Sequence, residues 1–594
     1  MAHQLIPKSH LRSLVVFPTD FDGGGLIDCF YLKAMQKYSL TSLAKAGLFH
    51  SLKRQMKKLA LPTWGILLTS LTACSQNTTN FNAAVARSVA QDKIVIDLGW
   101  HEYINFRQGF DPTDGWSWDS YSDPLLQSRL LRRDINQGLV MDLAVDYQLS
   151  SDGKIWTVKI RPDVRFSDGK PLTAEDVAYT FNKDTELSLE KFLDKAVATG
   201  DYEVKFYLKK PNVIFVDKLA SLGIVPKHAH SKTYNRNPIG SGPYKLVQWV
   251  EGEQIVLEAN PYYYGNKPSI KRVVFLFTQG DAAFAAAKSG RAQIAKIPYP
   301  LAKHSVKGMQ LYQVPTLDHT VTILPFAPDT GQKNAQGYPT GNNVTSDRGI
   351  RQAINYAINR QKLVDAILWG YGSSVYGYPG GPPWQEPAPA IADADINKAK
   401  QILAEAGWRD SNGNGTVDRQ GIEAEFTLLY TASLPHEQGL AMAIAQMLKP
   451  VGIKIKPEGS YWEQMKHRIQ HDAWFYTLTT RSLDLRSLYR SPLGIPNGRP
   501  NYSNYTNPTV DRILDQGLGA ANEIAASKFW KQVHWNGQTG IGPQGDAASA
   551  WLVNLNETYL VSKCLDIGRP TVPSQRYQGR LLGNITEWKI ICNS

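Results

Sequence analysis

The sequence predicts an α/β protein of more than one lobe, and three observations carry that expectation. Stretches of two-residue apolar period alternate with stretches of helical period. Two helical stripes are well marked: Ile350, Ala353, Ile354, Ala357 and Ile358 on one, and Ile396, Ala399, Ile402, Leu403 and Ala406 on the other. The 521 residues from Cys74 to Ser594 also exceed what one simple core accommodates and suit two or three lobes.

In chain order, the first organised signal is MKKLALPTWGILLTSLTACSQN, residues 56 to 77. Lys57 and Lys58 precede an uncharged run from Leu59 to Ala73, too short for a membrane span of about 20 residues but the right length for a secretory signal. Leu71-Thr72-Ala73-Cys74 resembles the lipobox of bacterial lipoproteins, in which the cysteine receives lipid and becomes the mature N-terminus. We therefore expect a signal peptide over 56–73 and lipid on Cys74. We also expect residues 1–55 to be a disordered, over-extended start, with translation beginning at Met56; peptides from residues 1–50 in the cellular protein would refute this.

Composition narrows the class. The formal charge is +12, but residues 1–73 hold nine Lys/Arg and three Asp, which leaves only +6 on the mature part. With no basic block, nucleic acid is not an expected partner. Four cysteines are too few for a disulfide scaffold. Cys29 lies in the upstream segment and Cys74 is assigned to lipid, so Cys564 and Cys592 remain as a possible pair in an oxidising compartment.

Residues 74–92 are polar and small and suit a flexible tether. KIVIDLGW, from residue 93, opens the folded part as a strand. In residues 152–182, Trp156, Val158 and Ile160 alternate with polar residues as a half-buried strand; turn signals follow at Pro162-Asp163 and Asp168-Gly169. Thr173 with Asp176 is a capping-box-like helix start, and Gly407 suits the end of the helix carrying Ile396.

Several blocks carry a family resemblance. Trp156 to Lys159, Arg161, Phe166 to Gly169, Pro171, Ala174 to Val177 and Phe181 resemble the signature segment of the extracytoplasmic solute-binding proteins of the peptide/nickel class, family 5. NPIGSGPYKL (237–246) with ANPYYYGNKPSIKRVVF (259–275) is similar to that family's hairpin. DRGIRQAINYAINRQKLVDAILWGYG (347–372) is similar to its helix opening the second lobe, and DINKAKQILAEAGWRDSNGNG (395–415) to the next helix and turn. The resemblance implies a periplasmic binding protein type II-like fold, two lobes joined by a hinge with the ligand between them. It implies lobe I over 93–312, lobe II over 313–548 and a return to lobe I over 549–594, with crossings near 310–324 and 551–563. Its functional implication is a monomeric, cofactor-free binding component of an ABC importer, lipid-anchored outside the cytoplasmic membrane (periplasmic in a diderm bacterium), that hands oligopeptides or dipeptides to permease subunits.

The same resemblance nominates site residues. AWFYTL (473–478) corresponds to a second-lobe strand, followed by a loop in which Asp484 falls near the aspartate that pairs with a peptide's α-amino group; Arg481 could neutralise Asp484 or hold a ligand carboxylate. A surface pairing of Asp484 with Arg481 or Arg486 is the plain alternative, and the Gly-Asp-Pro flanks of the peptide binders are absent. Trp116, Trp118 and Tyr121 lie in FDPTDGWSWDSYSDPLL, which matches an early cleft-facing loop, and Trp384 follows YPGGPP beside the cleft; core packing is the alternative for each.

A nickel chelate is the runner-up ligand, although GIPNGRPNYSNYTNP (494–508) lacks the histidine sought there. His467 and His471 have i, i+4 spacing and would share a helix face, where solvated histidines are the ordinary outcome. No protein-held metal is expected. Asp410, Asn412, Asn414, Gly415 and Asp418 follow the EF-hand order, but Gly421 replaces the bidentate Glu, so an ordinary turn is expected. No Gly-x-Ser-x-Gly, HExxH or CxxC occurs, and a binder is expected, with an exported hydrolase as the remote alternative.

Overall fold

The computed structural model describes residues 92–592 apart from 99–108, 115–124, 135–137, 185–191, 279, 317, 379–390, 480–481, 492–500 and 570–580. Cys74, Trp116, Trp118, Tyr121, Trp384 and Arg481 lie outside the described residues.

Two mixed sheets organise the chain. In the first, the strand order is Met309–Val314, Glu557–Ser562, Ile294–Lys296, Lys93–Asp97, Arg272–Leu276, Gln254–Ala259, Tyr244–Val250. Lys93–Asp97 runs parallel to both of its neighbours. Its Ile94 and Ile96 are fully buried in a core shared with Leu257, Val273, Phe275 and Trp588. In the second sheet the order is Gly372–Ser374, Ser549–Leu555, Asp318–Ile323, Ala473–Thr479, Glu425–Thr431, Lys454–Ser460. Glu425–Thr431 is parallel to both neighbours there. We call the parts built on these sheets the first and second lobes. Adjacent strands carry the chain between them: Met309–Val314 to Asp318–Ile323 outward, and Ser549–Leu555 to Glu557–Ser562 back.

A separate antiparallel layer is formed by Ala144–Leu149, Ile155–Ile160, Glu203–Leu208 and Leu193–Gly200. Its buried face carries Trp156, Val158 and Ile160, and the helix Ala174–Lys183 packs Val177 and Phe181 into the same cluster. Thr173 N donates to Asp176 Oδ2 at 2.9 Å, holding that helix start. Glycine is required at Gly240, where an added Cβ would lie 1.9 Å from the Leu126 carbonyl oxygen.

The second lobe surrounds its sheet with helices. Ile350, Ala353, Ile354 and Ala357 on Arg348–Ala357 are all buried, as are Ala399 and Leu403 on Ile396–Glu405. Each fully buried Ile or Leu contributes about 1.5–3 kcal/mol by leaving water. Gly407, at φ 84°, ends the second of these helices in the left-handed conformation. The stretch 347–372 forms two helices rather than one. Ile358 is extended and the Asn359 side chain accepts from Lys362 N at 2.8 Å, capping Arg360–Ile367 anew.

Two further expectations are corrected. Asp484 lies not in a loop but in the helix Ser482–Tyr489, because Leu485, Leu488 and Tyr489 recur at helical spacing and are buried. His467 and His471 do not share a helix face: the helix Trp462–Met465 ends before them and a turn follows. There His467 stacks on Tyr338 at 4.3 Å, and His471 Nδ1 lies 3.1 Å from Asp472.

Candidate functional site

In sheets with parallel strands, ligands gather beyond the carboxyl ends of those strands, where helices begin. The fold brings two such edges together. From the first lobe, Lys93–Asp97 leads into Leu98, Arg272–Leu276 leads on to Gly280 and Asp281 at a helix start, and Ile294–Lys296 leads into Ile297 and Pro298. From the second lobe, Glu425–Thr431 leads to Ser433 and His436 at the start of Pro435–Leu448, and Lys454–Ser460 leads to Tyr461. Between them lies a cavity of about 1030 Å³, and the segments that carry the chain between lobes supply Thr316, Asp318, Leu555, Asn556 and Glu557 to its wall.

Those crossing segments are tied by their own hydrogen bonds. Asn554 Nδ2 donates to the Thr316 carbonyl at 2.7 Å, Asp318 N donates to Thr316 Oγ1 at 3.0 Å, and Tyr299 Oη donates to the Asn556 carbonyl at 2.9 Å. Lys296 Nζ lies 2.7 Å from Glu557 Oε1, and Tyr559 Oη donates to Glu557 Oε2. Among the described residues the one lysine in the cavity wall is thus already engaged by a carboxylate, and Asp281 and Asp318 also line that wall.

His436, half-buried, stays neutral near pH 7. Burial pushes its imidazole down to about 4, with repulsion from Lys296 acting in the same sense. Beside it, Glu437 is buried and accepts from Thr431 N at 2.7 Å; burial pushes its carboxyl up to about 7 against that hydrogen bond. Aromatic surface comes from Tyr299, Tyr461 and Trp369, the last with the Lys303 ammonium 4.3 Å from its ring centroid. Such a wall can hold a ligand by charge, by backbone at the strand ends and by apolar contact.

Of the residues nominated from sequence, Asp484 is the third residue of the helix Ser482–Tyr489, which follows Ala473–Thr479, the strand whose Thr477 faces the cavity. Sequence reasoning missed Lys296, Asp318, His436 and Glu557. A faint signal existed for Asp318 and Glu557, charged residues inside otherwise buried strands; none existed for His436, whose burial depends on chain far away in sequence.

Cys564 and Cys592 form a disulfide with Cα atoms 4.8 Å apart. In residues 410–421 the side chains serve the turn itself. Asp410 accepts from Asn414 N and Gly415 N, Asn412 Oδ1 accepts from Asn414 N, and Asp418 accepts from Ser411. Among the described residues no group of three or more His, Cys, Asp or Glu is placed to hold a metal ion, and no helix is long and apolar enough to cross a membrane.

The sequence profile of the bacterial extracellular solute-binding proteins, family 5, matches residues 138–494. Protein XP55 of Streptomyces lividans is 35% identical over 426 residues, covering 68% of this chain and 75% of that protein. The oligopeptide-binding protein AppA of Bacillus subtilis is 28% identical over 520 residues, 81% of this chain and 91% of the relative. The structure of that AppA in complex with a nonapeptide superposes with a TM-score of 0.66 at 25% identity, covering 84% of this chain and 98% of AppA. NikZ from Campylobacter jejuni, in complex with Ni(L-His), has the same fold with a TM-score of 0.69 at 21% identity, over 84% of this chain and 100% of NikZ.

Proposed function

The chain belongs to the bacterial extracellular solute-binding proteins of family 5, and from that membership we propose that it captures peptides and delivers them to an ABC permease. The cleft carries this reading. A cavity of about 1030 Å³, walled by strand ends of both lobes, stands at the upper end of the range for small-ligand pockets, roughly 300–1,000 Å³. That is room for a chain of amino acids rather than a single one, and the likeness to an oligopeptide-binding protein over 81% of this chain supports the same cargo.

In this reading lobe I spans 93–312 with a return over 549–594, lobe II spans 313–548, and the lobes close about the crossing strands. Asp484 pairs with the peptide's α-amino group, Arg481 is available to a ligand carboxylate, and Trp116, Trp118, Tyr121 and Trp384 pack on side chains. Cys74 carries the lipid that anchors the protein to a membrane outside the cytoplasm.

The test is titration of a defined oligopeptide and its N-acetylated form into wild type and Asp484→Asn. Loss of one partner of an enclosed charge pair costs about 2–5 kcal/mol, so free-peptide affinity should fall at least about thirtyfold in the variant. Equal binding of both peptides by wild type, or unchanged affinity in the variant, sinks the Asp484 role. Failure of any peptide to raise the melting temperature, together with a shift from nickel plus histidine, replaces the peptide reading by a chelate.

A further inference from the structure

Remote from the cavity wall, the four-stranded layer and the second lobe hold one another through a second set of contacts. Arg133, on the strand Leu131–Arg133, directs Nη2 at two carboxylates: Asp217 Oδ1 at 2.5 Å and Glu523 Oε1 at 2.9 Å. Asp217 lies on the helix Phe215–Leu219, close in sequence to that layer, whereas Glu523 is the first residue of the second-lobe helix Glu523–His534. All three side chains are largely buried, at 6%, 14% and 13% exposure.

Beside this ion triad, Val213 and Ile214 leave the layer and enter the apolar cluster of Leu514, Leu518 and Trp530. Val213 N donates to the Leu518 carbonyl at 2.9 Å, satisfying one of the carbonyls that the end of the helix Pro508–Leu518 leaves over. Further along, the Arg486 guanidinium lies 4.6 Å from the Phe192 ring centroid. None of these residues lines the cavity.

We propose that Arg133, Glu523 and the Val213–Ile214 plug form a clasp that sets how much of the protein is closed, and so its affinity for whatever solute the cleft accepts. The charge arrangement suits a reversible fastening. One guanidinium serves two carboxylates; on separation Arg133 keeps Asp217, and Glu523 passes into water at a helix N-terminus that favours a negative charge. Opening therefore breaks a charge-assisted bond and exposes two apolar side chains, but strands no unpaired buried charge. Because apparent affinity scales with the fraction of competent conformer, contacts that never meet the ligand still tune it. The proposal rests on the two-lobe fold alone and is indifferent to ligand identity.

The test is amide hydrogen exchange on the full chain, comparing wild type with Glu523→Gln and Glu523→Asp. Asp retains the charge at the helix start but is one methylene too short to keep the Arg133 contact, which separates a clasp from a helix-end effect. Both variants should speed exchange at Val213–Ile214 by at least about fivefold, the lower end of typical coupling between sites, while the strand Glu203–Leu208 and a Glu458→Gln control remain at wild-type rates. Unchanged exchange at Val213–Ile214 in Glu523→Gln overturns the proposal. So does recovery of the wild-type rate in Glu523→Asp, or equal acceleration of Glu203–Leu208, which would mark general destabilisation.

Discussion

Lys296 and Glu557 meet at 2.7 Å on the wall of the cleft, one from a strand of the first lobe and the other from the strand by which the chain returns to it. Tyr559 donates to the second Glu557 oxygen, so both oxygens are engaged in a largely buried setting. The pair fixes the position of the returning segment where it forms the cavity wall.

Replacing Glu557 by Gln should therefore cost about 2 kcal/mol, since the Lys296 ammonium loses its counter-charge and hydrogen bonds to charged groups contribute roughly 1.5–3 kcal/mol. Urea denaturation should show a lower midpoint with an unchanged slope. A midpoint equal to wild type would show that the pair is too well solvated to matter.

Glu437 makes the pH dependence asymmetric. Its carboxyl is pushed up to about 7 from an ordinary value of 4.5 by burial in the first turn of Pro435–Leu448. A raised folded-state pKa means that its stabilising contribution is complete below pH 4.5 and is lost as pH rises through 7. Glu437→Gln keeps an acceptor for Thr431 N and removes the ionisation. Relative to wild type, the variant should gain up to about 3 kcal/mol between pH 4.5 and pH 8, at 1.36 kcal/mol per unit. Parallel stability–pH curves for the two proteins would contradict the assignment.

His534 acts in the opposite direction. It is 5% exposed, its Nε2 has no hydrogen-bond partner among the described residues, and burial pushes it down to about 4. The unfolded chain takes up the proton first, so this residue contributes stability above pH 6.5 that is lost as pH falls through 4. His534→Gln should flatten that acid limb by up to about 3 kcal/mol, with the difference developing between pH 6.5 and pH 4. Thermal melts across that interval are the measurement, and equal acid sensitivity in wild type and variant would count against it.

The Cys564–Cys592 bond closes a loop with a sequence separation of 28 and fastens a tail whose Leu581, Leu582, Ile585 and Trp588 are buried in the first-lobe core. Replacing both cysteines by serine should cost about 3.6 kcal/mol, the loop-entropy value for that length. Melting under oxidising conditions, against wild type treated with reductant, checks it; reduced wild type and the variant should behave alike.

What the sequence determined by itself was local and periodic. The stripes at Ile350–Ile358 and Ile396–Ala406, the alternation at Trp156–Ile160 and the cap at Thr173 follow from the 3.6- and 2-residue periods, which short stretches of chain already contain. The ordered blocks that these periods belong to also disclosed the family. Tertiary structure decided which polar residues became buried and which of them meet. Arg351 and Arg360 sit amid polar neighbours in the sequence, yet both are fully enclosed, donating to backbone carbonyls at Asp546 and Trp551 almost two hundred residues away. The meetings of Lys296 with Glu557 and Arg133 with Glu523 were equally invisible. The reason is physical: period records which face of an element turns inward, whereas desolvation and charge pairing depend on what another part of the chain brings against that face.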